Sequence, residues 1–181
     1  MDLPDLIDKS AIIQKAMSLD TKLKTECEVF LATFESVLLS TINQDGSPDL
    51  SYSPYIDHDG VFYILASHLS AHTPNLIRDS RATLLFIDDE DKCDQIYARR
   101  RLQFQCTTRR FDQNTAEWQA LIPTFSERFG DIIDTLSALP DFQIFALEPL
   151  GGHWIKGFGK AFNFTGRIDS DATHLNPKKD R

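Results

Sequence analysis

Residues Val37–Ala66, VLLSTINQDGSPDLSYSPYIDHDGVFYILA, are the most informative about the fold because they contain three strand-like segments separated by two short turns. The segments are VLLSTI, PDLSYSPYI and VFYILA, and the turns QDGS and DHDG carry the Gly and Asp residues typical of tight reversals. This spacing predicts an antiparallel meander. Such a meander needs a further layer, or closure on itself, to bury one of its faces.

The rest of the chain predicts further strands and the helices that cover them. The nearly all-apolar ATLLFID indicates a central strand, and apolar and polar residues alternate in ARRRLQFQC as in a half-buried antiparallel strand. Helical spacing follows Asp20, which is placed as a cap, and recurs from Trp118 to Phe129 and in GDIIDTLSAL. Two strands, DFQIFALEP and GHWIKGFGKAFNF, are expected to close the domain. The pattern predicts an α+β architecture, a small antiparallel barrel flanked by helices.

The 181 residues divide into one domain and two terminal segments. Residues 1–19 are expected to form an N-terminal arm and residues 20–166 the barrel domain, with a polar C-terminal tail over 167–181.

Composition excludes several classes of partner. The net charge is −8 and the pI is about 5.0, which disfavours binding to nucleic acid and to anionic membranes. No apolar run reaches membrane-spanning length. Cys27, Cys93 and Cys106 have no CxxC spacing and are expected to be reduced thiols. With no targeting motif recognisable, a cytoplasmic location is expected.

The segment Ser67–Asn75, SHLSAHTPN, is the first candidate binding element. It leaves an apolar strand and enters a short helix, and it gathers hydroxyls and imidazoles at a helix start, where free N–H groups attract anions. The alternative is an ordinary capped turn. The nearby SYSPY places Pro54 inside a strand pattern, which indicates an edge or a bulge.

The run Arg99–Arg101 stands out in an acidic chain. It is either a binding element for an anionic group or a solvated strand end paired with nearby carboxylates. No Gly-x-Ser-x-Gly, Walker loop or Gly-x-Gly-x-x-Gly occurs, so no catalytic residue is assigned.

Six strings, in order along the chain, carry a resemblance to a known family: DGSPDLSYSPY, SHLSAHTPNL, ARRRLQF, ERFGDIIDTL, DFQIF and IKGFGKAF. The chain resembles the HugZ/HutZ-type haem-utilisation proteins, a branch of the pyridoxine-phosphate-oxidase-like FMN-binding split barrels. The resemblance covers about residues 30–175 and implies an antiparallel split β-barrel. It also implies a homodimer with two cofactor sites at the interface.

By resemblance, His72 and Arg101 match the histidine and arginine that line the cofactor pocket. Asp141 matches an aspartate that hydrogen-bonds, across the dimer, to the histidine that ligates haem iron. That histidine belongs to a Gly-His pair five residues after a His-Leu. Here His174-Leu175 is present, whereas Lys178-Lys179 stands at the pair, so His174 is the candidate iron ligand if haem is bound.

The sequence is therefore consistent with three functions. FMN bound at the dimer interface, with oxidoreductase-type activity, is the main expectation, and a haem-binding or haem-oxygenase-like protein is the alternative. A cofactor-free binding or storage module is the third. The candidate cofactor-binding residues are Tyr52, Ser53, Pro54, Ser67, His68, Ser70, His72, Asn75, Arg99, Arg101, Asp141 and Lys156.

Overall fold

A computed structural model describes residues 21–167 and 172–175, so the arm over residues 1–19, the Asp20 cap and the rest of the tail lie outside the described residues. The helices and strands follow one another along the chain. They are α1 (21–31), β1 (Ser36–Ile42), β2 (Pro48–Pro54), β3 (Ile56–His58), β4 (Val61–Ser67), α2 (His72–Arg78), β5 (Arg81–Ile87), β6 (Arg101–Phe111), α3 (Ala116–Phe129), α4 (Ile132–Ala138), β7 (Phe142–Gly157), β8 (Lys160–Thr165) and β9 (Thr173–His174).

The strands form one antiparallel sheet in the order β2-β1-β5-β6-β7-β4-β3, with β8 added to β7 and β9 added to β8. The sheet curls around an aromatic core, which gives an α+β fold with the antiparallel split barrel expected from the sequence. The predicted meander is confirmed, except that its middle segment breaks after Pro54 into β2 and β3. Proline lacks the N–H that a continuing ladder needs.

The barrel interior is filled mainly by aromatic rings. Phe62, Phe86 and Phe104 are at most 1% exposed, and their ring centroids lie 5.1–6.2 Å apart. Helix α1 adds Leu23, Phe30 and other apolar side chains to the same core. The high phenylalanine content therefore supplies the barrel core, where offset ring pairs add to the stabilisation from burial.

A second apolar core lies outside the barrel. Helix α3, with Trp118, Leu121 and Phe125 buried, and helix α4, with Ile133 buried, pack against β3, β4 and the first half of β7. Thr115 caps α3, because its Oγ1 accepts a hydrogen bond of 3.2 Å from the Trp118 N–H.

The remaining outer surface of the sheet is not covered by any helix within residues 21–167. We call this surface the open face; it consists of the outward residues of β2, β1, β5, the start of β6 and the end of β7. Cross-strand pairing aligns its members, which are Leu38, Ser40, Leu50, Tyr52, Thr83, Leu85, Ile87, Arg101, Gln103, His153 and Ile155. All are half-buried or exposed, and six are apolar or aromatic, so the open face is a candidate contact surface.

Strand β7 differs from the expectation. The two closing strands were expected over 141–149 and 152–164, whereas β7 runs through Gly151 and Gly152 without a break and the chain reverses only after Gly157. Leu150 bulges out of register opposite Gln105 and Cys106, which bends the strand around the barrel corner.

Gly152 makes this corner possible, because a Cβ there would lie 1.9 Å from the Gln103 carbonyl oxygen and 2.8 Å from the Phe164 ring. Gly152→Ala is therefore expected to lower the free energy of unfolding by about 1–3 kcal/mol or more. Urea unfolding followed by circular dichroism measures the change. Gln105→Ala, on the exposed side of the same corner, is the control, and equal stability of the two variants would contradict the packing argument.

Candidate functional site

An apolar cavity lies where α3 and α4 meet the barrel. Its volume is about 220 Å³, and it is lined by Pro54, Leu65, Phe125, Phe129, Ile132, Ile133 and Leu136. Phe125 and Ile133 form its buried floor, whereas Ile132 is 53% exposed at the rim. Pro54 also ends the outward row Leu50, Tyr52, Pro54 on β2, so the cavity borders the open face. An apolar cavity at the edge of an uncovered apolar surface is suited to a flat hydrophobic ligand.

A hydroxyl–carboxylate pair lies near the cavity. Ser67 lies two residues after Leu65 on the same side of β4, and its Oγ donates a hydrogen bond to Asp141 Oδ2. Asp141 precedes β7, and its carbonyl accepts from the His68 N–H at 3.0 Å. Of the candidate residues, Pro54 lines the cavity, and the Ser67–Asp141 pair lies at the end of β4, two residues beyond the lining residue Leu65.

Most backbone amides of the turn between β4 and α2 already donate within the protomer, which leaves few of them for an anion. The Leu69 N–H donates to Ser67 Oγ at 3.0 Å, and the Ser70 and Thr73 N–H groups donate to backbone carbonyls within the turn. Helix α2 is only seven residues long, and Ala71 at its start provides no side-chain cap. The backbone hydrogen bonds in this segment are those of a closed turn.

His72 is the first residue of α2, and its side chain faces the barrel side of β2. Its ring is 5% exposed, and Nδ1 lies 2.9 Å from Ser51 Oγ. Burial lowers the pKa of His72 from its usual 6.5, and the nearby Asp49 offsets this in part. The imidazole is therefore neutral at pH 7 and is a weak partner for a phosphate dianion.

This burial predicts a pH dependence of stability. The unfolded chain takes up the His72 proton near pH 6.5, whereas the folded chain takes it up only at lower pH, so the free energy of unfolding falls as the pH drops below about 6.5. His72→Gln, which cannot titrate, is expected to flatten this fall in urea unfolding between pH 7.5 and 5. His58→Gln, on a half-exposed side chain, is the control. An unchanged slope in His72→Gln would rule out the buried imidazole as its source.

The side chains of two other candidate residues already form hydrogen bonds within the protomer. The Asn75 Nδ2 donates to Thr41 Oγ1 and to Asn43 Oδ1, both at 3.0 Å, and its Oδ1 accepts from Arg78. The Ser53 side chain is buried, and its hydroxyl donates to the Pro54 carbonyl at 3.0 Å. In this structure Asn75 ties α2 to β1, and Ser53 faces the barrel.

The three consecutive arginines have different partners. Arg99 donates to the Asp88 carbonyl and lies 3.2 Å from a Glu90 oxygen, and Arg100 lies 2.6 Å from Asp88 Oδ2. Arg101 donates to the Arg99 carbonyl at 2.9 Å, and within the described residues no carboxylate pairs with it. It is half-buried on the open face, between Ile87 and Ile155. Arg101 is therefore the arginine of the run that remains available to an anionic ligand.

Lys156 points away from Arg101. It alternates with Ile155 along β7, pairs with Glu26 of α1, and lies 5.0 Å from the Trp154 ring centroid. Desolvation by burial, with Lys22 and Lys160 nearby, lowers its pKa. Its surroundings belong to the contact between α1 and the barrel.

His174 lies on β9, which pairs with β8. Its Nε2 is 2.7 Å from the Gly159 carbonyl oxygen, so Nε2 carries the proton and Nδ1 keeps a lone pair. The ring packs edge-on against Phe162, with centroids 5.1 Å apart. His174 and Asp141 have different hydrogen-bond partners within the protomer. The described part of the tail, 172–175, thus contributes a short strand to the sheet.

The sequence interpretation missed the helical half of the cavity, Phe129, Ile132 and Leu136. The sequence pattern that could have identified them is the number of apolar residues in these helices, which exceeds what one buried helix face requires. The cysteines add no chemistry to the site: Cys27 and Cys106 are buried, and desolvation raises the pKa of each thiol to about 12.

Sequence comparison gives two matches. The profile of the family described as pyridoxamine 5'-phosphate oxidase matches residues 23–154. A protein named heme oxygenase HutZ, from Vibrio cholerae serotype O1, is 34% identical over 161 residues, which cover 89% of this chain and 92% of that protein.

The solved structures that share the fold at 25% identity or more include one from Vibrio cholerae and one from Campylobacter jejuni. A Vibrio cholerae structure described as HutZ, a heme storage protein, superposes with a TM-score of 0.66 at 33% identity, covering 69% of this chain and 88% of that chain. Campylobacter jejuni ChuZ superposes with a TM-score of 0.77 at 26% identity, covering 98% of this chain and 74% of that chain. Within the described residues, no helix is long and apolar enough to cross a membrane.

Proposed function

Because the chain belongs to the pyridoxamine 5'-phosphate oxidase family, within its branch of HutZ-type haem-utilisation proteins, we propose that it binds haem between two copies of the chain. The apolar cavity and Arg101 form the site, and the bound haem is stored or oxidatively opened. We propose that the protein does so in the cytoplasm.

The observation that carries the proposal is the cavity at the border of the open face. Its volume of about 220 Å³ is below the roughly 300–1,000 Å³ of pockets that enclose a whole ligand. A second copy packed on the open face would cover the cavity mouth and supply the missing wall. The exposed apolar side chains of that face, among them Leu50 and Tyr52, supply a reason for two copies to associate.

Haem fits the described residues better than FMN does. FMN carries a phosphate dianion, which would need a cation near the turn after β4. His72 there is buried and neutral, and most amides of the turn donate within the protomer. Haem carries two carboxylates on a large apolar ring, which suits one available guanidinium, Arg101, beside apolar surface. The expectation of FMN as the main cofactor is therefore replaced by its alternative, haem, which is also named in both descriptions of the Vibrio cholerae relative HutZ.

The iron of haem would need an axial donor, and His174 is the imidazole that the described part of the tail offers. Its Nε2–H donates to a carbonyl and leaves Nδ1 as the lone-pair nitrogen, an arrangement common among metal-binding histidines. Asp141, held by Ser67 at the end of β4, would accept a hydrogen bond from a histidine of the second copy, as the family resemblance implies. Bound haem would supply the iron and oxygen chemistry, while the protein binds, orients and shields it.

The test is a titration of the purified protein with haemin and, separately, with FMN. A Soret band that saturates at one haemin per chain, with no flavin spectrum retained, is the expected result. Addition of a reductant to the haemin complex in air then distinguishes storage, in which the Soret band persists, from oxidative opening, in which it is lost with biliverdin-like absorbance. Saturable FMN binding without haemin binding would refute the proposal.

A further inference from the structure

We infer that Ser67 is the positioning residue of the site, holding the Asp141 carboxylate in place through a hydroxyl that is itself fixed by the following turn. This inference rests on the proposed haem site. It assigns Ser67 a role different from that of a direct ligand to a cofactor phosphate.

Ser67 has four hydrogen bonds within the protomer, two at its hydroxyl and two at its carbonyl. The hydroxyl donates to Asp141 Oδ2 and accepts from the Leu69 N–H at 3.0 Å. The carbonyl accepts from the Thr73 hydroxyl at 2.6 Å and from the Ser70 N–H at 3.1 Å. Because the Leu69 N–H occupies a lone pair of Ser67 Oγ, the hydroxyl proton is directed to the carboxylate.

Asp141 is held at two points, by its carbonyl and by one carboxylate oxygen. The His68 N–H donates to its carbonyl at 3.0 Å, and Ser67 and Phe142 are cross-strand partners in the β4–β7 ladder. Within the described residues, no hydrogen bond to Oδ1 is seen, so one oxygen of the carboxylate is held and the other remains free to accept. A free oxygen at a held carboxylate is what a partner imidazole N–H requires.

The same turn leads into α2, which begins at His72. Thr73, which is fully buried and donates to the Ser67 carbonyl, directly follows His72, whose ring contacts Ser51 on β2. Ser67 therefore connects the Asp141 carboxylate to the β4–α2 turn that also holds the buried imidazole. Substitution of Ser67 should affect Asp141 most directly, because the hydrogen bond to Asp141 is the one that joins the Ser67 side chain to another side chain.

The test compares Ser67→Ala, Ser67→Thr, Asp141→Asn and the double variant S67A/D141N in haemin titrations of the full chain. Ser67→Ala is expected to weaken haemin binding about tenfold, as the loss of one hydrogen bond to a charged group does. Ser67→Thr, which keeps the hydroxyl on a strand that accepts β-branched residues, should restore most of the affinity. Ser80→Ala, at an exposed serine after α2, is the matched control and should bind as the wild type does.

The double variant separates positioning from a general structural effect. If Ser67 acts through Asp141, Ser67→Ala should add nothing in the Asp141→Asn background. Additive losses, or wild-type affinity in Ser67→Ala, would overturn the inference. Thermal unfolding of each variant identifies any loss of binding that arises from a loss of folded protein.

A readout without haem keeps this inference separate from the proposed function. In the apo protein, the carbon-13 chemical shift of the Asp141 carboxylate should change in Ser67→Ala and return in Ser67→Thr. Failure of the wild type to bind haemin would refute the haem proposal while this shift still reports on the Ser67 contact. An Asp141 shift unchanged in Ser67→Ala would overturn the positioning role regardless of haemin binding.

Discussion

Leu85→Arg is expected to prevent the proposed association of two copies and to reduce haemin affinity by about 100-fold or more. Leu85 lies near the centre of the open face, paired with Leu38 on β1 and with Gln103 on β6. A guanidinium placed there would be buried without a partner when two copies associate, and an unpaired buried charge costs about 3–5 kcal/mol. Since each 1.4 kcal/mol is a factor of ten, the expected loss is about two to three and a half orders of magnitude.

The measurements are light scattering at micromolar concentration and a haemin titration of the same samples. Leu85 is on the outside of the barrel, so the barrel core and the circular dichroism spectrum should be unchanged. Val29→Arg, at a 64% exposed residue of α1, adds the same charge elsewhere and is the control. A Leu85→Arg protein that is dimeric and binds haemin normally would show that the open face is not the interface.

Arg101→Ala is expected to weaken haemin binding by about 10-fold to 150-fold and to leave the fold intact. The guanidinium lies on the open face with no carboxylate partner among the described residues, and a charge-assisted hydrogen bond to a propionate is worth about 1.5–3 kcal/mol. Arg101→Lys should recover part of the affinity, since a lysine keeps the charge and loses the planar fork.

The matched control is the neighbouring Arg100→Ala, which removes an arginine already paired with Asp88. Its effect on haemin affinity should be small, because Arg100 is directed at Asp88 and not at the open face. Its effect on stability can be larger, because the Asp88 side chain is 7% exposed and would lose its charged partner, so urea unfolding accompanies the titration. Equal affinities for Arg100→Ala and Arg101→Ala would mean that Arg101 is a surface charge without a role in binding.

The sequence predicted the architecture well because the local patterns agree with the fold. Alternating apolar residues, glycine turns and amphipathic helices specified the meander, the β6 strand and the helices α3 and α4. The errors were local. The middle meander strand divides at Pro54, and the closing strands were misjudged because Gly151–Gly152 looks like a turn in sequence, whereas here two glycines let β6 and β8 approach β7 closely.

The site was only partly predictable. The pairing of Ser67 with Asp141 joins residues 74 positions apart, and local spacing gives no signal for it. The candidate set also included Asn75 and Lys156, residues of the right chemical type whose partners, Thr41, Asn43 and Glu26, already occupy them.

The family, the barrel with its helices, and the residue types near the site can all be inferred without the structure, because they follow from periodicity, turn chemistry and long collinear strings. Only the tertiary structure decided which of these residues are available. Of three adjacent arginines, two are paired by the 88–90 loop and Arg101 is left on the open face. Burial likewise makes His72 neutral, and the packing of α3 and α4 beside Pro54 creates the cavity. Availability depends on contacts between distant segments, and those contacts exist only once the chain has folded.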